Sequence, residues 1–316
     1  MLSGVVGGLS MPSVRAQEPW PNRTIRMIVP FAPGAATDSM ARLGAQKLGE
    51  KLGVSVVVEN RTGGNGIPGT QAVLQAPADG YTIIGTASTH ALMRQVLRNV
   101  PFDPQADFIP VARTARGPMV LVTNPGRRER TVAEILAAAR ANPSKWSFAT
   151  SSFGSAGHLA TIDLCRRAGT DIQIVPYRGT APALTDISAG NVQLLFDSAF
   201  ALLPQTRANQ VQGVAIATAE RSQLAPELPT VAESNHPGFE FYSWYAVMAP
   251  RGTPPEIAAR MNAALNEAMG DEATRQRLNS TGLEPLQESI DGIRQAIAAE
   301  VSRGAELLRI ANYQPE

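Results

Sequence analysis

Apolar positions open the chain's first readable element. Ile25, Met27, Ile28 and Val29 form a strand-favouring run, broken by Pro30-Phe31-Ala32-Pro33-Gly34, where two prolines remove backbone donors and a glycine permits a sharp turn. From Thr37 the period lengthens. Met40, Leu43, Leu48 and Leu52 recur at helical spacing, with Arg42, Lys47 and Glu50 on the polar side. The expected unit is strand, tight loop and helix N-terminus, a place where free N–H groups and the helix dipole favour an anion.

The same alternation continues. Val54–Val58 predicts a buried strand, a glycine-rich loop follows, and Thr70–Ala76 predicts a helix. Tyr81–Gly85 is the third strand, ending in Thr86-Ala87-Ser88-Thr89-His90 and a helix through Leu97. This β-α-β-α-β-α order predicts a parallel sheet covered by helices. Val100–Pro110 is proline-rich and irregular, and Phe108–Thr114 and Pro118–Thr123 read as extended segments, or as one long strand interrupted by Gly117-Pro118. A second α/β unit then runs from a helix at Val132–Ala141 to a strand at Gly213–Ala217. After a proline-containing loop come an extended Phe241–Met248 and helices at Pro254–Met269, Glu272–Ser280 and Ile290–Ile310. Two units of about 100 residues each fit two domains.

Composition narrows the function classes. Hydrophobic residues make up 44% of 316, enough for real cores, and the net charge is only +1. A neutral protein carries no electrostatic footprint for nucleic acid or an anionic membrane. One cysteine, Cys165, allows no internal disulfide or thiolate metal site, and three histidines far apart in sequence argue against a metal cluster. No cofactor is expected. Residues 1–16 read as the remnant of a signal peptide: Leu2–Met11 is apolar and Val14-Arg15-Ala16 resembles a cleavage site, although no basic residue precedes the apolar stretch. A plain tail is the alternative.

Candidate chemistry sits where strands end. Phe31, Pro33, Gly34, Ala35, Ala36, Thr37 and Asp38 could capture a carboxylate or phosphate through backbone amides, or form a βα turn capped by Thr37 or Asp38. Asp38 would repel an anion, so a cap or a water-holder is its expected role. Thr86 and Ser88 offer hydroxyls. Thr150, Ser151, Ser152, Phe153, Gly154, Ser155 and His158 form a second strand–loop–helix entry rich in small donors. It lacks Gly-x-Ser-x-Gly, and His158 reads as structural sooner than catalytic. Arg178 could pair with a carboxylate or lie in a surface ion pair, and Asp197-Ser198 could hold a water or cap a helix. Gly64-x-Gly66-x-x-Gly69 formally matches a dinucleotide loop. Pro68 and the missing acid downstream argue against that reading and against a dehydrogenase.

Taken in order, these motifs resemble a known family. Pro30-Phe31-x-Pro33-Gly34-x-x-Thr37-Asp38, Val58-Glu59-Asn60-Arg61, Asp79-Gly80-Tyr81-Thr82, Val175-Pro176-Tyr177-Arg178-Gly179, Phe196-Asp197 and Pro229-Thr230-Val231-Ala232-Glu233-Ser234 look like the extracytoplasmic solute receptors of tripartite tricarboxylate transporters, the Bug-type proteins. The resemblance runs from about Trp20 to the C-terminus. It implies a type II periplasmic-binding-protein fold, α/β, with a ligand cleft between two lobes. Residues 20–115 plus 240–316 would form lobe 1 and 117–235 lobe 2, with crossovers near 111–119 and 236–242. It further implies a non-enzymatic, monomeric periplasmic receptor. Such a receptor closes on a small organic acid, meeting one carboxylate with Phe31–Asp38 and the other end with Thr150–Ser155 and Asp197. The partner would be membrane transporter subunits, or alternatively a sensor kinase. Ala35-Ala36 departs from the family's extra glycines, which puts the shape of that loop in question.

Overall fold

The computed structural model describes residues 19–316, and the expected leader at residues 1–16 lies outside the described residues. The first half contains β1 (Ile25–Val29), α1 (Ala36–Leu52), β2 (Val56–Asn60), α2 (Ile67–Leu74), β3 (Thr82–Ala87) and the single-turn α3 (Met93–Val96). The long β4 (Phe108–Thr123) leads into α4 (Val132–Ala141), β5 (Ser147–Thr150), α5 (Ala156–Ala168), β6 (Gln173–Pro176), α6 (Thr180–Ala189), β7 (Leu194–Ser198), α7 (Ala199–Arg207) and β8 (Gln212–Ile216). The chain returns through β9 (Tyr242–Pro250), α8 (Pro255–Gly270), α9 (Glu272–Ser280), β10 (Glu284–Pro285) and α10 (Ile290–Ile310).

The strands follow one path, β2-β1-β3-β9-β4-β7-β5-β6, with β8 and β10 also pairing with β4. Within each half the βαβ strands are parallel: β1 with β2 and β3, and β5 with β6 and β7. The halves meet on β4. Its first part pairs with β9 from Phe108↔Pro250 to Pro118↔Tyr242, and its last residues pair with β7 and β8.

Side-chain alternation along the strands builds the layers. Ile25, Met27 and Val29 face Leu48 of α1 and Met261 and Leu265 of α8. Ile28 turns the other way, into a core with Trp244 and with Ile293 and Ile297 of α10. In the second half Phe148 and Phe196 stack at 5.9 Å beneath α4 and α5, while Val120, Val122 and Leu195 pack against Ile187 of α6 and Leu202 of α7. Leu159 and Ile162 of α5 join the α10 core, so the two halves share packed apolar surface.

Two expectations sharpen. The segments flanking Gly117-Pro118 are the one long strand the sequence allowed, and it runs without interruption because Gly117 and Pro118 keep their register with Ser243 and Tyr242. The helix expected through Leu97 is a 3-10 turn, Ser88–His90, followed by α3. There the buried His90 ring is held by the Pro104 carbonyl at 3.1 Å and by the edge of Phe108.

Candidate functional site

At the carboxyl end of β1, Gly34 carries the loop's positive φ of 80°, a conformation that a side chain would strain. Ala35 is extended at φ −66° and ψ 160°, and Ala36 begins α1. The two alanines therefore fit this loop without strain. No side chain caps α1, and its first backbone bond runs from Ser39 N to Ala35 O at 2.9 Å. The N–H groups of Ala36, Thr37 and Asp38 are thus left without backbone acceptors, beside exposed Pro33, Gly34 and Ala35 and half-buried Phe31.

The Asp38 side chain, unlike its backbone amide, is already engaged within the protein. Its buried carboxylate accepts from Gly34 N at 2.9 Å, Arg42 Nε at 3.0 Å and Asn60 Nδ2 at 2.8 Å. Burial pulls its pKa up, but the bonds from Arg42, Gly34 and Asn60 outweigh that and hold it below the ordinary aspartate value. Asn60 also donates to the Phe31 carbonyl at 3.0 Å. Asp38 and Asn60 together brace the loop from behind.

The second loop has the same plan with a better cap. Ser155 caps α5, accepting from His158 N at 3.1 Å. Gly157 lets α5 approach β7 closely, since a Cβ there would lie 2.2 Å from the Phe196 carbonyl oxygen. His158 is fully buried. Its Nδ1 accepts from Gly154 N at 3.2 Å, and burial pushes its pKa down to about 4. Its ring lies between Phe153 and Tyr313. His158 thus positions the loop and exposes nothing to a ligand, which corrects its place among the contact candidates. Thr150 is likewise buried and donates to Ser152 O at 3.1 Å.

The strand ends of the second half are tied together at Asp197. This carboxylate accepts from Ser198 N at 2.7 Å and Thr180 Oγ1 at 2.9 Å, and from the Ser151 hydroxyl. Burial pushes its pKa up, against these three donors. Ser151 O in turn accepts from Gly179 N at 3.1 Å. Arg178, next in the chain, is exposed and has no hydrogen-bond or ion-pair partner among the described residues.

Between the halves, hydroxyls line up along the return strand. Ser88 and Ser243 are 3.2 Å apart. The buried Tyr245 bonds Ser243 and Ser198, and burial raises its pKa to about 12. Thr86 Oγ1 is buried without a partner. On one side the loops touch directly: Asn65 Nδ2 donates to Phe153 O at 3.3 Å, and the Ser152 hydroxyl donates to Asn65 Oδ1. The glycine-rich loop is therefore no dinucleotide turn. Gly64–Gly66 makes a 3-10 turn in which Asn65 itself has φ 54° and reaches into the second half.

Sequence reasoning missed Asn65, Ser243 and Tyr245. Only Asn65, amid four glycines, carried a visible signal, since asparagine is the side chain best tolerated at positive φ. Among the described residues no group of three His, Cys, Asp or Glu could hold a metal ion, and no helix is long and apolar enough to cross a membrane.

Comparison with known proteins gives a consistent picture. The family described as the tripartite tricarboxylate transporter family receptor matches residues 40–313. Protein BugT of Bordetella pertussis is 37% identical over 292 residues, covering 92% of this chain and 90% of BugT. A Rhodopseudomonas palustris protein solved with adipate superposes with TM-score 0.90 at 35% identity, over 94% of this chain and 100% of that one. MatC of Rhodopseudomonas palustris, solved with malate, gives TM-score 0.84 at 31% identity, over 92% and 100%.

Proposed function

Since the chain belongs to the tripartite tricarboxylate transporter receptor family, a family of periplasmic solute-binding receptors and not of enzymes, we propose that it captures a small organic acid between its two halves and delivers it to the membrane subunits of such a transporter. The observation that carries this reading is the pair of donor loops at the carboxyl ends of β1 and β5. The Ala36–Asp38 amides lie uncapped on one side, and Ser151–Ser155 lies opposite, close enough for Asn65 to bridge the halves.

A carboxylate at Ala36–Asp38 gains charge-assisted bonds and the favourable end of the helix dipole. At the other loop, Ser151 and Thr180 spend their protons on Asp197. Each hydroxyl oxygen keeps lone pairs that can accept a water or a ligand hydroxyl. Arg178, free of other partners, supplies a bidentate contact for a second carboxylate. Residues 20–115 with 240–316, and 117–235, act as two lobes that close by bending at 111–119 and 236–242, and contacts to both lobes stabilise the closed form. The mature protein works as a periplasmic monomer after export.

Adipate and malate are the ligands of the two relatives and define the first probes, with tricarboxylates, aromatic acids and amino acids completing the series. Thermal-shift screening of ligand-free protein should reveal at least one acid that raises the melting temperature, with compaction seen by small-angle scattering. Stabilisation by none of them would overturn the reading. Crosslinking in the native host tests the partner, a permease being expected.

A further inference from the structure

Far from the cleft, the second half carries a pocket of about 400 Å³ that the solute-binding reading does not use. It is lined by Leu136 and Arg140 of α4, Arg167 in the last turn of α5, and Ser234, Asn235 and His236 of the loop leading to β9. The N-terminal end of α5 borders the cleft through Ser155, while Arg167 sits at the other end of this 13-residue helix, about 20 Å away at 1.5 Å per residue. The pocket therefore occupies the pole of the second half opposite the ligand loops.

Its donors are largely unspent. Arg140 uses Nε on the Ala168 carbonyl at 3.0 Å, and neither of its terminal nitrogens has a partner among the described residues. Arg167 gives Nε to Asp163 at 2.7 Å and Nη1 to the Pro237 carbonyl at 2.8 Å, leaving Nη2. The neighbouring acid, Asp163, is shared with Arg166, which donates to it at 2.8 Å. Two guanidinium groups, Arg166 and Arg167, thus share one carboxylate, and Arg140 adds a third near the pocket. The His236 ring is buried beside Arg167 and Arg140 with no hydrogen-bond partner among the described residues. The side chains of Ser234 and Asn235 are also unpartnered there, and Asn235 is held at φ 68°.

We propose that this pocket is a second anion site, taking a carboxylate between the free fork of Arg140 and the Ser234 hydroxyl, Asn235 amide and His236 ring. The fork geometry of a guanidinium matches a carboxylate bidentately, and Arg140 and Arg167 leave terminal nitrogens facing the pocket without an acidic partner among the described residues. The carboxylate comes from a free polycarboxylate or from an acidic side chain of a protein that touches this pole. A bound anion would clamp α4, α5 and the segment entering β9, and so tie this pole to the return strand.

The site is tested by following the His236 ring resonances in the full-length protein while adding citrate or, separately, a glutamate-rich peptide. His236 faces Arg140, Arg167 and Asp163, so an incoming carboxylate raises its pKa. Saturable shifts at roughly millimolar or lower concentration are expected with at least one probe, weakened by about tenfold or more in Arg140→Gln. Citrate alone identifies a small-molecule site, and the peptide alone identifies a docking site. Should Arg140→Gln fold poorly, Arg140→Lys keeps the charge, loses the fork and should show an intermediate loss. Absence of any His236 shift with either probe, or shifts unchanged in both variants, overturns the proposal. These outcomes do not involve the cleft loops, so failure here leaves the solute-binding reading standing, and failure to bind an acid in the cleft leaves this one standing.

Discussion

Asn65 of the first half donates to the Phe153 carbonyl of the second at 3.3 Å, while the Ser152 hydroxyl donates back to the same side chain. One amide thus fastens the glycine-rich loop of the first half to the donor loop of the second. If this contact holds the closed form together, its loss speeds ligand release more than it slows capture. Asn65→Ala should raise the dissociation rate of a bound acid about tenfold, the equivalent of one or two neutral hydrogen bonds. Ser152→Ala should do nearly the same, and the double variant little more, because both remove one coupled unit. Stopped-flow dissociation of whichever acid the screen identifies is the measurement. Fully additive losses would remove the latch role.

The Asp38 carboxylate braces the first loop through bonds from Gly34, Arg42 and Asn60. Asp38→Ala leaves Gly34 N, Asn60 Nδ2 and the Arg42 guanidinium without their acceptor, a loss of about 2–3 kcal/mol in stability. The carboxyl is held below its ordinary value, so its contribution is complete above the unfolded pKa and lost as pH falls through the folded one. Wild-type melting temperatures should therefore drop below about pH 4 more steeply than those of the alanine variant. Equal slopes would show that Asp38 is not the brace.

Much of this architecture is written in local chemistry. Val132–Ala141, Glu272–Ser280 and Ile290–Ile310 begin and end where the sequence pattern predicts. The loop at Phe31–Asp38 is legible because Pro33-Gly34 must turn and α1 must then start. What stays hidden is whatever depends on tertiary approach. The continuity of β4 across Gly117-Pro118 comes from pairing with β9, more than 120 residues on. His158 reads as a possible contact residue until packing against Tyr313 places it inside the molecule. Ser243 and Tyr245 lie in an ordinary aromatic strand, and only strand pairing brings Tyr245 opposite Ala87, beside the first-half hydroxyls.

Gly157 should tolerate no side chain. A methyl group there meets the Phe196 carbonyl oxygen at 2.2 Å and its carbon at 3.0 Å, both backbone atoms that cannot rotate away. Gly157→Ala must lift the start of α5 off β7, at a cost of about 3 kcal/mol or more. It would also displace Ser155 and the Gly154–His158 bond. Calorimetry should show a melting temperature lowered by roughly 5 °C or more, together with weakened acid binding. A variant as stable as the parent would mean that α5 is seated less tightly on β7.

Two buried histidines and a half-buried glutamate set opposite pH slopes. His90 and His158 are both pushed down to about 4 by burial, so the unfolded chain takes up protons first. Their contribution is complete above about pH 6.5 and falls away as pH drops toward 4, by on the order of 2–3 kcal/mol each. Glu300 runs the other way. Burial raises it to about 6, although Trp244 Nε1 donates to it at 2.5 Å. Its contribution is complete below the unfolded value of about 4.3 and is lost as pH rises through 6. Glu300→Gln keeps an acceptor for Trp244 and removes the buried charge. It should stabilise the protein by about 1–2 kcal/mol at pH 7.5 and by almost nothing at pH 4.5. His158→Asn, which preserves an acceptor for Gly154 N, should instead flatten the loss between pH 6.5 and 4. Denaturant titrations at these pH values separate the two effects, and a Glu300→Gln gain of equal size at both pH values would place the cause in packing and not in charge.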